Sequence, residues 1–139
     1  MNKAGNVVIV CGDRNWENSK RITWWLETIK PAVVIEGGAR GADLWGRMAA
    51  KELDIDVITC PALWEVRGPS AGPRRNSFQL SVGIAMAAYL ETSLSVAAFH
   101  NALSESKGTK DMVRQATRAK VDCVNIMETG AKLVDGLML

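Results

Sequence analysis

Histidine is almost missing from this chain: His100 is the single one in 139 residues. Cysteine is also sparse, with Cys11, Cys60 and Cys123 widely spaced and no CxxC pair. That leaves no ligand set for a zinc or other transition-metal site, and no metal or cofactor is expected. An odd thiol count, each thiol in or at the end of an apolar run, argues against a disulfide scaffold. It favours small buried hydrophobes in a reducing, cytoplasmic setting. No nucleophile elbow and no Ser-His-Asp spacing accompany His100. Long apolar runs are absent too. The longest, "VGIAMAAYL", is too short for a bilayer, so no membrane partner is expected. "MNKAGNVVIVCG" lacks the pattern of a signal peptide. Excess charge is missing: 17 Lys and Arg against 15 Asp and Glu leave +2, too little for non-specific attraction to nucleic acid. There is no internal repeat and no low-complexity tract.

The rest is that of an ordinary globular domain. Hydrophobic residues are 47% and charged residues 23%, in a length suited to one core. Five short β-rich runs stand out: "VVIVC" (7–11), "AVVIE" (32–36), "DVITC" (56–60), "SVAAF" (95–99) and "DCVNI" (122–126). They are almost continuously apolar, as strands covered on both faces are. Segments of helical spacing alternate with them. In 18–30, Ile22, Trp25, Leu26 and Ile29 share a face, with Asn18 or Ser19 as N-cap. In 41–53, Leu44, Met48, Ala49 and Leu53 do the same. A strongly apolar helix is expected over 75–91. Another, over 109–120, turns Met112, Val113 and Ala116 inward and Lys110, Arg114 and Arg118 outward. The alternation predicts an α/β fold: a Rossmann-like, doubly wound, mostly parallel sheet of about five strands with helices on both faces. "PALWEVRGPSAGPRRN" (61–76), with three prolines and two glycines, reads as a long loop of the kind that carries function. The domain core is 6–126, and 127–139 reads as a tail, a short helix or an oligomer contact.

In such a sheet ligands sit beyond the carboxyl ends of the strands, near the point where strand order reverses. "CGDRNW", "GGARGAD", "CPALW" and "FHNALSESKGT" should therefore converge. Gly37 and Gly38 would let the backbone turn and present amides, theirs and those of Ala39 and Arg40. Gly41 and Gly12 would allow a ligand to come close, and the next helix aims its positive dipole end at the turn. Asp43 either caps that helix or accepts hydrogen bonds from ribose hydroxyls or a guanidinium. In "GPRRN", Arg74 and Arg75 oppose the dipole at a helix start unless an anion, or Asp13 or Asp43, offsets them; Asn76 adjoins them. Gly108 and Thr109 resemble a second phosphate turn. Asp13, Arg14 and His100 face the same edge. Trp16 and Trp64 could stack on a base or wedge loops against the core; Trp45 does so less readily, while Trp24 and Trp25 pack on their helix.

The set "CGDRNW", "GGARGAD", "AGPRRN" and "KGTKDM" resembles the SLOG superfamily of Rossmann-like nucleotide-binding proteins. More narrowly it looks like the YspA or YpsA-related branch, frequent in bacteria and phages, over roughly residues 6 to 126. The resemblance implies binding of a nucleotide, nucleotide sugar or ADP-ribose-like ligand at the sheet edge. In the phosphoribohydrolases of the superfamily the phosphate turn reads Pro-Gly-Gly-x-Gly-Thr-x-x-Glu, with a catalytic glutamate. Gly108 and Thr109 match that turn and Arg75 matches the enzymes' arginine, but Met112 stands at the glutamate's place. Asp111, one position off, is rotated by about 100° on a helix. The expectation is therefore a non-catalytic binder of a nucleotide-derived ligand, such as a sponge for an immune second messenger or a sensor. The enzyme alternative would draw on Asp13, Asp43, Asp111 or Glu36 for hydrolysis of an N-glycosidic bond. A nucleic-acid-processing role is disfavoured by the near-neutral charge. The apolar helix before the fourth strand suits a homo-oligomer, a dimer or tetramer.

Overall fold

The computed structural model describes residues 5–133. Strands β1 (Val7–Gly12), β2 (Val33–Glu36), β3 (Asp56–Thr59), β4 (Leu94–Phe99), β5 (Asp122–Met127) and β6 (Gly130–Leu133) form one sheet in the order β3-β2-β1-β4-β5-β6. The first five are parallel, with Val7 opposite both Val33 and Leu94, and β6 runs antiparallel to β5. The chain moves outward from β1 to β3 and then returns to place β4 on the other side of β1. Strand order thus reverses between β1 and β4.

Covering on both faces explains the continuous apolar strands. Val7, Ile9 and Cys11 face one layer, with α4 (Ala71–Leu90) and α5 (Lys107–Arg118). Val8 and Val10 face the other, with α1 (Ser19–Ile29) and α2 (Ala42–Glu52). Asn18 caps α1, its side-chain oxygen accepting from the Arg21 amide at 3.1 Å. Met112, Val113 and Ala116 of α5 are buried as their spacing requires, and Cys11, Cys60 and Cys123 are buried free thiols.

Three expectations need correction. Helix α2 is rotated from its expected face: Met48 is half exposed, while Ala42, Gly46, Ala49 and Ala50 are buried. A Cβ at Gly46 would lie 2.8 Å from Val10, so small residues bring the helix axis close to β1 and size prevails over hydrophobicity. Second, 61–76 is not a loop. It forms α3 (Trp64–Arg67), a 3-10 turn at Gly68–Ser70 and the start of α4. Pro69 and Pro73 both fall in first turns, where a missing N–H costs nothing, so they open helices and do not break them. Third, the tail is no helix within the described residues: 130–133 add β6 to the sheet, and 134–139 lie outside them. No helix among the described residues is long and apolar enough to cross a membrane.

Candidate functional site

Strand β2 ends on a charged residue with no exposure at all. Glu36 accepts from the Gly38 amide at 2.8 Å through one carboxylate oxygen and from the Thr59 hydroxyl through the other. Asp43, also buried, folds back from the first turn of α2. Its Oδ2 accepts from the Gly37 amide (3.1 Å) and the Ala39 amide (3.3 Å). The turn expected to cradle a phosphate is thus already closed by the protein's own carboxylates. Those lie within a few residues of the amides, so they reach them without the entropy cost of recruiting a ligand. The same correction applies to Gly12 and Gly41. A Cβ at Gly12 would collide with the Phe99 carbonyl oxygen, and one at Gly41 with the carbonyls of Asp13 and Arg14. The Ala42 amide donates to the Asp13 carbonyl at 3.1 Å, so these glycines admit neighbouring backbone where a ligand was expected.

Arg75 ties this turn to the opposite layer. Its Nη1 donates to the Gly37 carbonyl at 2.6 Å and its Nε to the Asn76 side-chain oxygen at 3.1 Å. Buried Asn76 in turn donates to the Gly108 carbonyl (3.1 Å) and to Asp111 (2.9 Å). The turn after β2, the start of α4 and the start of α5 are therefore laced together. Among the described residues the one direct ion pair is Arg114–Asp111 at 2.9 Å, so the charge of Arg75 has no carboxylate in contact. Arg74 points outward, its Nε on the Ser70 hydroxyl at 3.2 Å, and exposed Arg40 reaches Asn15 at 3.3 Å. Asp13 accepts from the Asn15 amide at 2.8 Å, and Arg14 is exposed.

Burial pushes the Asp43 carboxyl up to about 6, with Glu36 adding to the rise and Arg75 and the turn amides opposing it. Because the folded value lies above the usual 3.8, protonated Asp43 favours the fold. That contribution is complete below pH ~4 and disappears as pH rises through about 6, about 3 kcal/mol in all. Asp43→Asn should remove this slope: urea midpoints of the parent fall between pH 4 and pH 7, and those of the variant stay nearly level. Parallel curves would show that Asp43 does not titrate in the fold.

At the start of α5 the surface is open. Gly108 is exposed and a Cβ there would meet nothing within 4 Å, while buried Thr109 shares a 2.6 Å hydrogen bond with the Ser106 hydroxyl. Ser106 makes no side-chain cap, so the first-turn amides retain the anion-seeking character of a helix N-terminus. Met112 is wholly buried in the core. Asp111 is engaged as well. Burial would raise its carboxyl, but hydrogen bonds from Asn76, Gln115 and Arg114 outweigh this and hold it below the usual range. Neither residue supplies the enzymes' missing acid.

His100, just past β4, is 4% exposed, with Nε2 paired to Asn125 at 2.8 Å and Nδ1 buried without a partner. Trp64 is 56% exposed and leans over Gly72. Trp16 is not available to a ligand: it is 4% exposed, edge-on to Phe99 at 5.9 Å, with Nε1 on the Asn18 carbonyl. It wedges the first loop into the core because an indole there fills the gap between α1 and β4. Trp16→Ala should therefore cost about 3–5 kcal/mol in chemical denaturation, and a loss under 1 kcal/mol would place the ring outside the core. Sequence reasoning missed Thr59, Ser106 and Asn125, whose partners lie far along the chain or across a turn. Glu36 had a signal, a carboxylate closing an apolar strand, but the sequence does not show it turning back onto Gly38.

Residues 6–66 match the model of the YAcAr family, the YspA, cpYpsA-related SLOG family. This stretch runs from the start of β1 into α3 and bears out the expected likeness there, with "CGDRNW" and "GGARGAD" inside it and "AGPRRN" and "KGTKDM" beyond it. No curated protein matches the chain. Among solved structures it is similar to the X-ray structure of DNA processing protein A (DprA) from Streptococcus pneumoniae. Identity is 16% and the TM-score 0.46, over 88% of this chain and 59% of that one, so this chain spans less than two thirds of that protein's length.

Proposed function

We propose, from the SLOG-family match over β1 to α3 and from the geometry of the rim, that the protein binds a nucleotide-derived ligand and returns it unchanged. The observation that carries this reading is the Arg75–Asn76 pair. It fastens α4 to the turn at Gly37 and to the α5 start at Gly108, so that a guanidinium without a contacting carboxylate and an open helix N-terminus are linked through the Asn76 side chain. A guanidinium and a helix N-terminus bridged by one side chain favour a phosphate. In this reading the phosphate sits over Gly108 and Thr109, not in the turn at 37–41. The exposed ring of Trp64, which leans over Gly72 at the start of α4, offers a stacking face for the base. Such a binder serves as a sponge for a cyclic nucleotide or cyclic ADP-ribose signal, or as its sensor.

A second reading has one observation behind it: the Asp43 carboxyl at about 6, beside Glu36, is poised for proton transfer near neutral pH. Its oxygen already faces the turn amides, which is why binding is preferred. The protein should be incubated with a panel of nucleotides and cyclic nucleotide signals, denatured, and the ligand chromatographed. Intact recovery at stoichiometric yield supports binding. A released base or ribose phosphate supports the hydrolase, and failure to retain or cleave any member of the panel rejects both.

A further inference from the structure

The outer face of α4 has a composition unlike that of any other exposed helix face in the chain. Between Asn76 and Leu90 there is no charged side chain. Its surface nevertheless includes Phe78 at 59%, Ile84 at 49% and Tyr89 at 82% exposure. On helices α1, α2 and α5 the exposed face carries Lys, Arg or Glu. An uncharged stripe of this length is the signature of a surface that another protein covers.

We propose that this stripe is the seam of a two-fold dimer in which α4 of one copy packs antiparallel on α4 of the other. Charge placement selects that occupant and that orientation. Arg74 and Glu91, both exposed, bracket the stripe and lie about 25 Å apart along the helix. A parallel pairing sets Arg74 on Arg74 and Glu91 on Glu91. The antiparallel pairing sets each Arg74 opposite Glu91 of the partner, twice, and also opposes the helix dipoles. The same register matches large to small. Phe78 falls over Ala85 and Ala88 of the other copy, Tyr89 falls over Ser77, and Ser81 lies opposite Ile84 near the axis. The row Ser77, Ser81, Ala85, spaced by four, gives a groove shallow enough for close helix approach.

Sedimentation of the full chain over a range of micromolar concentrations should reveal a monomer–dimer equilibrium. Ala85→Arg, which brings two like charges together near the axis, should raise the dimer dissociation constant at least about a hundredfold while leaving the circular dichroism unchanged. Arg74→Glu alone and Glu91→Arg alone should each weaken the dimer, and the double exchange should restore it. A monomer at every concentration, or a dimer indifferent to Ala85→Arg, overturns the seam. Single exchanges that weaken the dimer without rescue by the double overturn the antiparallel register.

Discussion

Arg75→Ala is expected to lose nucleotide affinity by at least about a hundredfold and to lose stability as well, by about 2–4 kcal/mol at pH 8. From sequence alone this arginine reads as a ligand contact, with an ion pair to Asp13 or Asp43 as the alternative. The structure makes it a fastener too. Its Nη1 satisfies the Gly37 carbonyl, and its charge is the main influence opposing the rise of the Asp43 carboxyl. Without it, Asp43 binds a proton more readily still, moving above its present value of about 6. The stability penalty should therefore be largest above pH 7 and shrink toward pH 5, where the carboxyl is neutral in the parent and the variant alike. Arg75→Lys separates the two roles. A lysine keeps a positive charge near Asp43 but lacks the guanidinium fork, so it should recover much of the stability and little of the affinity. Calorimetry with the ligand recovered from the panel, and urea melts at two pH values, measure the two losses independently. Full affinity in Arg75→Ala would remove this residue from the site.

Gly41→Ala should be at least as damaging to the fold, costing more than about 3 kcal/mol through strain and overpacking. The residue holds φ 76° and ψ −130°, a region that residues with a Cβ rarely enter. Relaxing the backbone gives no relief, because the added carbon would collide with the Asp13 carbonyl and stand 2.5 Å from that of Arg14. Moving that loop breaks the bond from the Ala42 amide and displaces Trp16 from the core. Gly108→Ala, in the first turn of α5 with open space around it and no positive φ, should leave stability within about 0.5 kcal/mol. If the two variants melt alike, the close approach of the first loop to the α2 start is wrong.

The contrast between these glycines shows where sequence reasoning stops. Both read as phosphate turns, since both precede a helix and both free the backbone. Whether the space above them is empty or filled by Asp13 and Arg14 depends on a loop some thirty residues away. The same holds for the carboxylates. Glu36 and Asp43 are legible as an acidic residue ending a strand and one opening a helix, but their return onto the Gly37, Gly38 and Ala39 amides comes from side-chain geometry. Trp16 and Trp64 occupy similar places along the chain, and only packing distinguishes a buried wedge from an exposed ring.

What the sequence by itself determined is the parallel sheet, its two helical layers and the edge at which the turns after the strands gather. Apolar runs buried on both faces and helical periodicities between them admit few other arrangements. Only the tertiary structure decided which amides remain open, that Arg75 and Asn76 join the turns across the sheet edge, and that two helices start where a loop was expected. Those outcomes turn on ångström-scale competition between nearby acceptors and a possible ligand, and such distances are set when the layers close.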